Sequence, residues 1–291
     1  MRFGLTILPE YSWSEAEPRW RGAEELGFDH AWTYDHLTWA GLPDSPWFGT
    51  TPTLTAAALS TSRIRLGTFV TSPNYRHPVT FMRDVLALDD ISRGRLVLGI
   101  GTGGDTDSRI LGGDPLSVRE RVDRLHEFAD LLDELLTHDH VSREGTYFSA
   151  VDARTLPGPV QRPRVPFIMA ANGPRSLRLA ARLGQGWLTN GPDADSEEAW
   201  WQGVRELGSR LDDALEDAGR TEEGFERHLS LDASGAFALE SPQRFEDMTG
   251  RAAALGFTDV ITHWPRPEGP YAGDVETLER VAADVMPGLR S

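Results

Sequence analysis

The residues of this chain that could do chemistry gather just after short apolar runs. Phe28 to Tyr34 is one such run, and Asp35-His36 comes directly after it. A histidine beside a carboxylate can give and take a proton near neutral pH. The plainer alternative is a structural histidine beside an aspartate that caps the next turn. A second run, ending at Ile100, carries Gly99-Ile100-Gly101-Thr102-Gly103-Gly104. Glycine backbone approaches a phosphate closely and donates N–H groups to it. The spacing formally matches G-x-G-x-x-G, but that motif requires a helix directly after the loop. Here Gly112, Gly113 and Pro115 come first, so a dinucleotide-binding unit is not expected. A third run, Val165 to Ala171, ends at Asn172-Gly173-Pro174, before a helix expected over Arg175 to Leu183. A helix start offers free N–H groups and the positive end of a dipole, where a phosphate docks readily. Two phosphate-capable turns in one chain point to a phosphorylated cofactor.

Other chemistries are excluded or weakened. The chain has no cysteine, which removes disulfides, thiolate metal sites and cysteine nucleophiles. It has no lysine either, so a Schiff-base mechanism has no amine to use. No serine is flanked as G-x-S-x-G. His138-Asp139-His140 has a metal-like spacing but reads as a solvated helix end, and no metal site is expected. Asp89-Asp90 and Asp212-Asp213 fall on helices and read as exposed pairs.

The elements that must position these residues begin with a β-α-β unit from Arg63 to Gly104. A strand over Ile64 to Thr71 breaks at Ser72-Pro73-Asn74. A helix comes next, from about Val79 to Ile91, then a strand from Arg95 to Ile100. Parallel strands need such a crossover. The same alternation runs through the whole chain. Ser117 to Leu136 is its clearest helix, opened by a Ser117/Glu120 capping box. Eight strands and eight helices without a linker predict an α/β fold, a (β/α)8 TIM barrel forming a single domain over 1–291. An insertion is expected around 138–165, with a hairpin strand near Thr146 to Phe148. The rival is a doubly wound sheet with a second domain after about residue 150. In a barrel, the site is built from the segments at the carboxyl ends of the strands. Those segments are Pro9-Glu10-Tyr11, Asp35-His36, Thr71 to His77, Gly101 to Asp105, Asn172-Gly173-Pro174, Asn190-Gly191, Ser234 and His263-Trp264.

The net charge of −16 over 291 residues is spread along helices. It disfavours nucleic acid, which would need a basic footprint. The start, MRFGLTILPE, lacks the apolar region of a signal peptide. No segment approaches a membrane span, and a cytoplasmic location is expected.

Several motifs, in order, carry a family resemblance. They are Gly27-Phe28-Asp29 into Asp35-His36, the run Arg63 to Thr68, Arg76-His77-Pro78, the run Ile91 to Gly101, and Ala171 to Pro174 with Gly186-Trp187. Together they resemble the bacterial luciferase-like monooxygenase superfamily over residues 1 to about 190. The remaining third matches only in its β-α rhythm. The resemblance implies a TIM barrel holding reduced FMN or the deazaflavin coenzyme F420 at its mouth. Cofactor contacts would fall at Thr71, Ser72, Asn74, Gly101, Thr102, Gly103, Asn172, Gly173 and Pro174, with a non-prolyl cis peptide near Thr71-Ser72. Asp35-His36 is similar to the pair of F420-using members, which favours F420. FMN is the alternative, and Thr102 to Asp105 resembles some FMN-dependent sulfonate monooxygenases. With F420 the chemistry would be hydride transfer to or from a small organic substrate; with FMN it would be oxygenation. His36 and Asp35 would be catalytic. Glu10, Trp39, Tyr75 and Trp264, with Trp47, would wall the substrate pocket. A separate flavin or F420 reductase is a candidate partner. A homodimer is expected, through a helix face such as that of Met82 or Trp200. A non-redox barrel enzyme or a binding protein for a phosphorylated ligand is the rival class.

Overall fold

The computed structural model describes residues 1–290. Eight parallel strands close into a barrel: β1 (Arg2–Thr6), β2 (His30–Thr33), β3 (Arg65–Thr71), β4 (Leu96–Ile100), β7 (Phe167–Ala170), β8 (Gly186–Thr189), β9 (Glu226–Ser230) and β10 (Asp259–His263). They stand in chain order around the axis, and β1 pairs with β10 to close the ring. That closure excludes the doubly wound sheet. The helices between them are α1 (Trp13–Glu25), α2 (Thr50–Ser60), α3 (Pro78–Ile91), α4 (Thr106–Ile110), α5 (Val118–Thr137), α6 (Pro174–Leu183), α7 (Glu197–Asp217) and α8 (Pro242–Ala254). The C-terminal helix runs as α9 (Val275–Arg280), a π turn over Val281–Val285 and α10 (Met286–Leu289).

Two apolar layers hold this arrangement. The outer one lies between strands and helices and takes Trp20, Phe128, Trp187, Trp200 and Phe245. The inner one fills the axis with Trp32, Tyr34, Phe69, Val97, Ile168, Leu188 and Ile261. Alternation along each strand sorts residues between the layers. Gly67 has to be glycine for the inner layer, because a Cβ there would sit 2.3 Å from the Trp32 ring. Met82 and Trp200, expected to offer a face to a second copy, are instead buried in the outer layer.

The insertion holds an antiparallel hairpin, β5 (Val141–Arg143) and β6 (Ala150–Ala153). The strand expected at Thr146 to Phe148 is the loop joining them. Its backbone donors go to one carboxylate rather than to a ladder: the Thr146, Tyr147 and Phe148 amides donate to Glu127 at 3.0, 2.8 and 2.5 Å. Phe148 packs on Phe128, which accounts for the aromatic signal. Asp89 is fully buried rather than exposed. It accepts from the amides of Val160 (2.6 Å) and Gln161 (3.0 Å), and from the Gln161 side chain (2.8 Å). Helix α4 was not expected at all, and it lies where the site is built.

The N-terminal end of the barrel is closed by a buried ionic cluster. Asp259 accepts from Arg2 at 2.8 and 2.7 Å and faces His30 Nε2 at 3.0 Å. Glu226 accepts from Arg65 at 2.9 Å and faces His228 Nε2 at 3.0 Å. His30, His228 and Asp259 bring ligand-type atoms within 4.8 Å of one another, but the Arg2 guanidinium already occupies the Asp259 carboxylate. No helix among the described residues is long and apolar enough to cross a membrane.

Candidate active site

At the opposite end, two adjoining cavities open where the strands finish. The larger, about 310 Å³, lies between the glycine loop and the start of α6, and Thr102, Val122, Asn172, Gly173 and Ser176 line it. The smaller, about 170 Å³, lies over the barrel axis beside Tyr34, His36, Trp39, Phe69 and Val70. Ala170, Leu188 and Asn190 border both, so the two form one elongated cleft.

His36 brings an imidazole to the axial cavity. Trp32 and Tyr34 face the axis, and the same alternation, continued past the end of β2, turns His36 inward and Asp35 outward. Asp35 is therefore not the partner of His36. It is fully buried and accepts from Thr71 Oγ1 (2.7 Å), Arg76 Nη2 (2.7 Å) and the Tyr75 hydroxyl. Burial alone would push its carboxyl up, but the Arg76 guanidinium and these donors hold it below the usual carboxylate range. The partner of His36 is Asp107, presented by α4. One Asp107 oxygen lies 2.7 Å from His36 Nδ1 and the other accepts the Leu37 amide at 2.7 Å. An ionised carboxylate only accepts, so Nδ1 carries the hydrogen and Nε2 is free to exchange a proton in the cavity.

The glycine loop is shaped from behind. Asn74 is buried and donates to the carbonyls of Thr102 (3.1 Å) and Gly104 (2.5 Å), while Arg124 reaches its Oδ1 at 3.2 Å. Gly103 sits at φ +61°, where a Cβ would meet Asn74 Nδ2 at 2.4 Å and Ser72 at 2.8 Å. At the facing wall, Pro174 is the first residue of α6 and Gly173 its N-cap, with no side chain capping the free amides. Asn172 is fixed by bonds to the Gly191 carbonyl (2.8 Å) and from Thr189 Oγ1 (2.7 Å). An uncapped helix start facing glycine backbone across a cavity suits a phosphate, and the axial cavity suits a flat ring. The residues present therefore fit a phosphorylated flavin-type cofactor.

His36, Trp39, Thr102, Asn172 and Gly173 thus line the cleft; Gly101, Gly103 and Pro174 are chain neighbours of these lining residues and do not themselves line it. Six others lie elsewhere. Thr71 gives its hydroxyl to buried Asp35, and Ser72 and Asn74 lie beneath the glycine loop. Tyr75 points its hydroxyl at Asp35. Glu10 is spent on Arg266, with Nε and Nη2 donating at 2.6 and 2.9 Å. Trp264 comes after inward-facing His263, so it points outward and packs on α1 at Gly22. The non-prolyl cis peptide is Phe69–Val70, two residues before the expected position, beside a register shift in β3. Sequence reasoning missed Asp107 and Tyr34, and the Asp232 and Tyr271 members of a relay behind Tyr34; Asn190 and His263 stand in the strand-end segments it named. In that relay His263 Nδ1 meets Asp232 at 2.7 Å, His263 Nε2 meets the Tyr34 hydroxyl at 2.9 Å, and Tyr271 lies 3.1 Å from the same hydroxyl. The period-two spacing of Trp32, Tyr34 and His36 could have found Tyr34; nothing local marks Asp107.

Comparison with known proteins places the chain among relatives of related sequence and fold. The sequence is 34% identical to an F420-dependent glucose-6-phosphate dehydrogenase of Microbacterium testaceum over 220 residues, 73% of this chain but only 61% of the relative. It is 30% identical to the enzyme of the same description from Beutenbergia cavernae, with 92% of this chain and 91% of that one covered. In fold it matches the coenzyme F420 dependent tetrahydromethanopterin reductase of Methanopyrus kandleri, with a TM-score of 0.79, 20% identity and 99% of both chains covered. An F420-dependent secondary alcohol dehydrogenase, solved in complex with an F420–acetone adduct, gives a TM-score of 0.82 at 17% identity, covering 100% of this chain and 99% of that one. The luciferase-like monooxygenase family model matches residues 1–274, and the chain belongs to that family.

Proposed function

We propose that this protein is an F420-dependent oxidoreductase that moves a hydride to or from a small organic substrate. The observation that carries the reading is the continuous cleft. It has a phosphate-suited end between Thr102 and Gly173, and a His36–Asp107 pair over the barrel axis. The F420-dependent relatives support the choice of cofactor. When bound, F420 supplies a two-electron hydride carrier. The chain's own residues do the rest. The glycine loop and the start of α6 would hold the cofactor's phosphate, and the axial aromatic residues would exclude water. His36 Nε2 takes the substrate hydroxyl proton on oxidation and returns one on reduction. Asp107 keeps Nδ1 protonated, so that Nε2 is the exchanging atom.

Titration against F420 and FMN, each oxidised and reduced, tests the reading by absorbance and fluorescence. Tight F420 binding without FMN binding is expected. Preference for reduced FMN would instead support the monooxygenase chemistry of the family name and a separate reductase partner. Self-association as a homodimer belongs to the same proposal, and light scattering at twice the chain mass would support it.

A further inference from the structure

We infer that the groove between α5, α6 and α7, outside the barrel, is a binding site for a small organic carboxylate with an apolar body. The site is separate from the cleft and does not rest on the oxidoreductase reading. A cavity of about 520 Å³ opens there, and it shares no lining residue with either cavity of the cleft. A volume of that order is ordinary for a small-molecule pocket.

Two helix faces meet along it. α5 presents Asp123, His126 and Asp130, and α6 presents Arg175, Arg178 and Arg182, each at intervals of three and four residues. The outer rungs are ion pairs. Arg175 Nη2 donates to Asp123 at 2.5 Å, and Arg182 Nη2 donates to Asp130 at 2.7 Å. The middle rung breaks the pattern, because the same spacing sets His126 against Arg178 and neither offers a negative charge. Arg178 pairs with no carboxylate among the described residues. The His126 ring lines the cavity, and its Nε2 is buried without a hydrogen-bond partner. Burial, and then the charge of Arg175, hold its pKa below the ordinary 6.5 against the pull of Asp130. An uncompensated basic rung in a chain of net charge −16 is a local departure of the kind that marks a functional site.

A second free guanidinium comes from beyond α7. Arg220 is fixed through Nη1, which donates to the carbonyls of Ala181 (2.8 Å) and Gly184 (2.7 Å). Its Nε and Nη2 remain unspent. Arg178 and Arg220 both line the cavity, and a planar guanidinium meets a carboxylate with two parallel bonds. Asp217, the one acid in the lining, is exposed and pairs with neither. The rest of the lining is apolar. Leu179 is buried on α6, and Ala214 and Ala218 stand one turn apart on α7, where their short side chains leave the space open. A bare anion would leave Leu179 and both alanines in water. An uncharged apolar molecule would leave both guanidiniums unmatched. A carboxylate on an apolar body satisfies both halves of the lining.

Calorimetry tests this with three probes: hexanoate, acetate as the head alone, and 1-hexanol as the body alone. We expect hexanoate to bind at least about tenfold tighter than acetate, through its added methylenes. It should also bind at least about tenfold tighter than 1-hexanol, through its charge. Arg178→Ala, at an exposed position, should weaken hexanoate by about tenfold and leave 1-hexanol unchanged. Ala218→Leu, also at an exposed position, narrows the cavity without removing a charge. It should weaken hexanoate and 1-hexanol alike, which covers the case in which the arginine variant does not fold. Acetate as tight as hexanoate would mean an adventitious anion contact only, and 1-hexanol as tight as hexanoate a mere apolar crease; either overturns the inference. No measurable hexanoate binding also overturns it. So does a hexanoate affinity that these substitutions leave unchanged, since the ligand would then lie elsewhere, the cleft included.

Discussion

Two aspartates near His36 have opposite duties, and single substitutions separate them. Asp107 touches His36, so Asp107→Asn should act on turnover. The new amide can keep the Leu37 contact through its oxygen, but its nitrogen then donates to His36 Nδ1. That reverses the tautomer and places the hydrogen on Nε2. We expect kcat to fall by about a hundredfold or more with F420 affinity near wild type. Ring 15N shifts of His36 report the tautomer independently, and a reversed tautomer with unchanged kcat would remove the role assigned to the pair. Asp35 touches no cavity, so Asp35→Ala should act on stability. It leaves the Arg76 guanidinium, partly buried, without its nearest carboxylate, at a cost of about 3–5 kcal/mol. Denaturant unfolding measures it, and a loss under about 1 kcal/mol, as for an ordinary surface site, would contradict the buried pairing. The sequence places Asp35 beside His36 and cannot place Asp107, because proximity along the chain is visible there and proximity across 71 residues is not.

At the scale of elements, the barrel and its order were legible because hydrophobic runs, glycine stops and proline starts repeat with the β-α period. The family motifs and the two phosphate-capable turns were legible for the same local reasons. The illegible parts depended on where side-chain oxygens go. Thr146 to Phe148 carries strand-like residues, yet its amides bond to Glu127 and the segment is a loop. Thr106 to Ile110 looks like a polar connection, yet it forms the short helix that delivers Asp107. Asp89 and Asp90 look alike in sequence, yet Asp89 ties the insertion to α3 through Val160 and Gln161. Asp89→Ala should therefore cost about 2–3 kcal/mol, since it strands two backbone amides and a side-chain amide. Asp90→Ala should stay within about 0.5 kcal/mol, as exposed positions usually do. Parallel urea melts decide it: equal effects for the two would mean that Asp89 does not clasp the insertion.

Across the whole molecule, the two ends of the barrel divide the work. The candidate site lies where the strands finish, and the N-terminal end is closed by the His30, Glu226, His228 and Asp259 cluster, whose groups face one another rather than a cleft. That end sets how the fold responds to acid. Burial would raise Glu226, but His228, Arg65 and Arg2 hold it down at about 2, against an ordinary 4.5. Asp259 is likewise held far below its ordinary 3.8, against its burial, by His228, His30 and Arg2. Both carboxylates therefore contribute stability that is complete above their unfolded values and is lost as pH falls through about 4.5 toward 2. Burial lowers His30 from its ordinary 6.5, more than Asp259 raises it. Below about 6.5 the unfolded chain gains a proton there that the folded chain resists, so stability falls in that window too. The signs agree, and acidification should weaken the protein in two limbs: a shallow one starting near about pH 6.5, and a steeper one below about 4.5. Each proton taken up by the unfolded chain alone steepens the decline by about 1.4 kcal/mol per pH unit. Urea midpoints measured from about pH 8 down to about pH 4 trace the upper limb and the start of the lower one. Glu226→Gln should flatten only the lower limb, because an amide has no proton to gain. Stability that rose between about pH 7 and about pH 5 would mean that His30 is charged in the folded barrel and that the cluster is held together by a different proton arrangement.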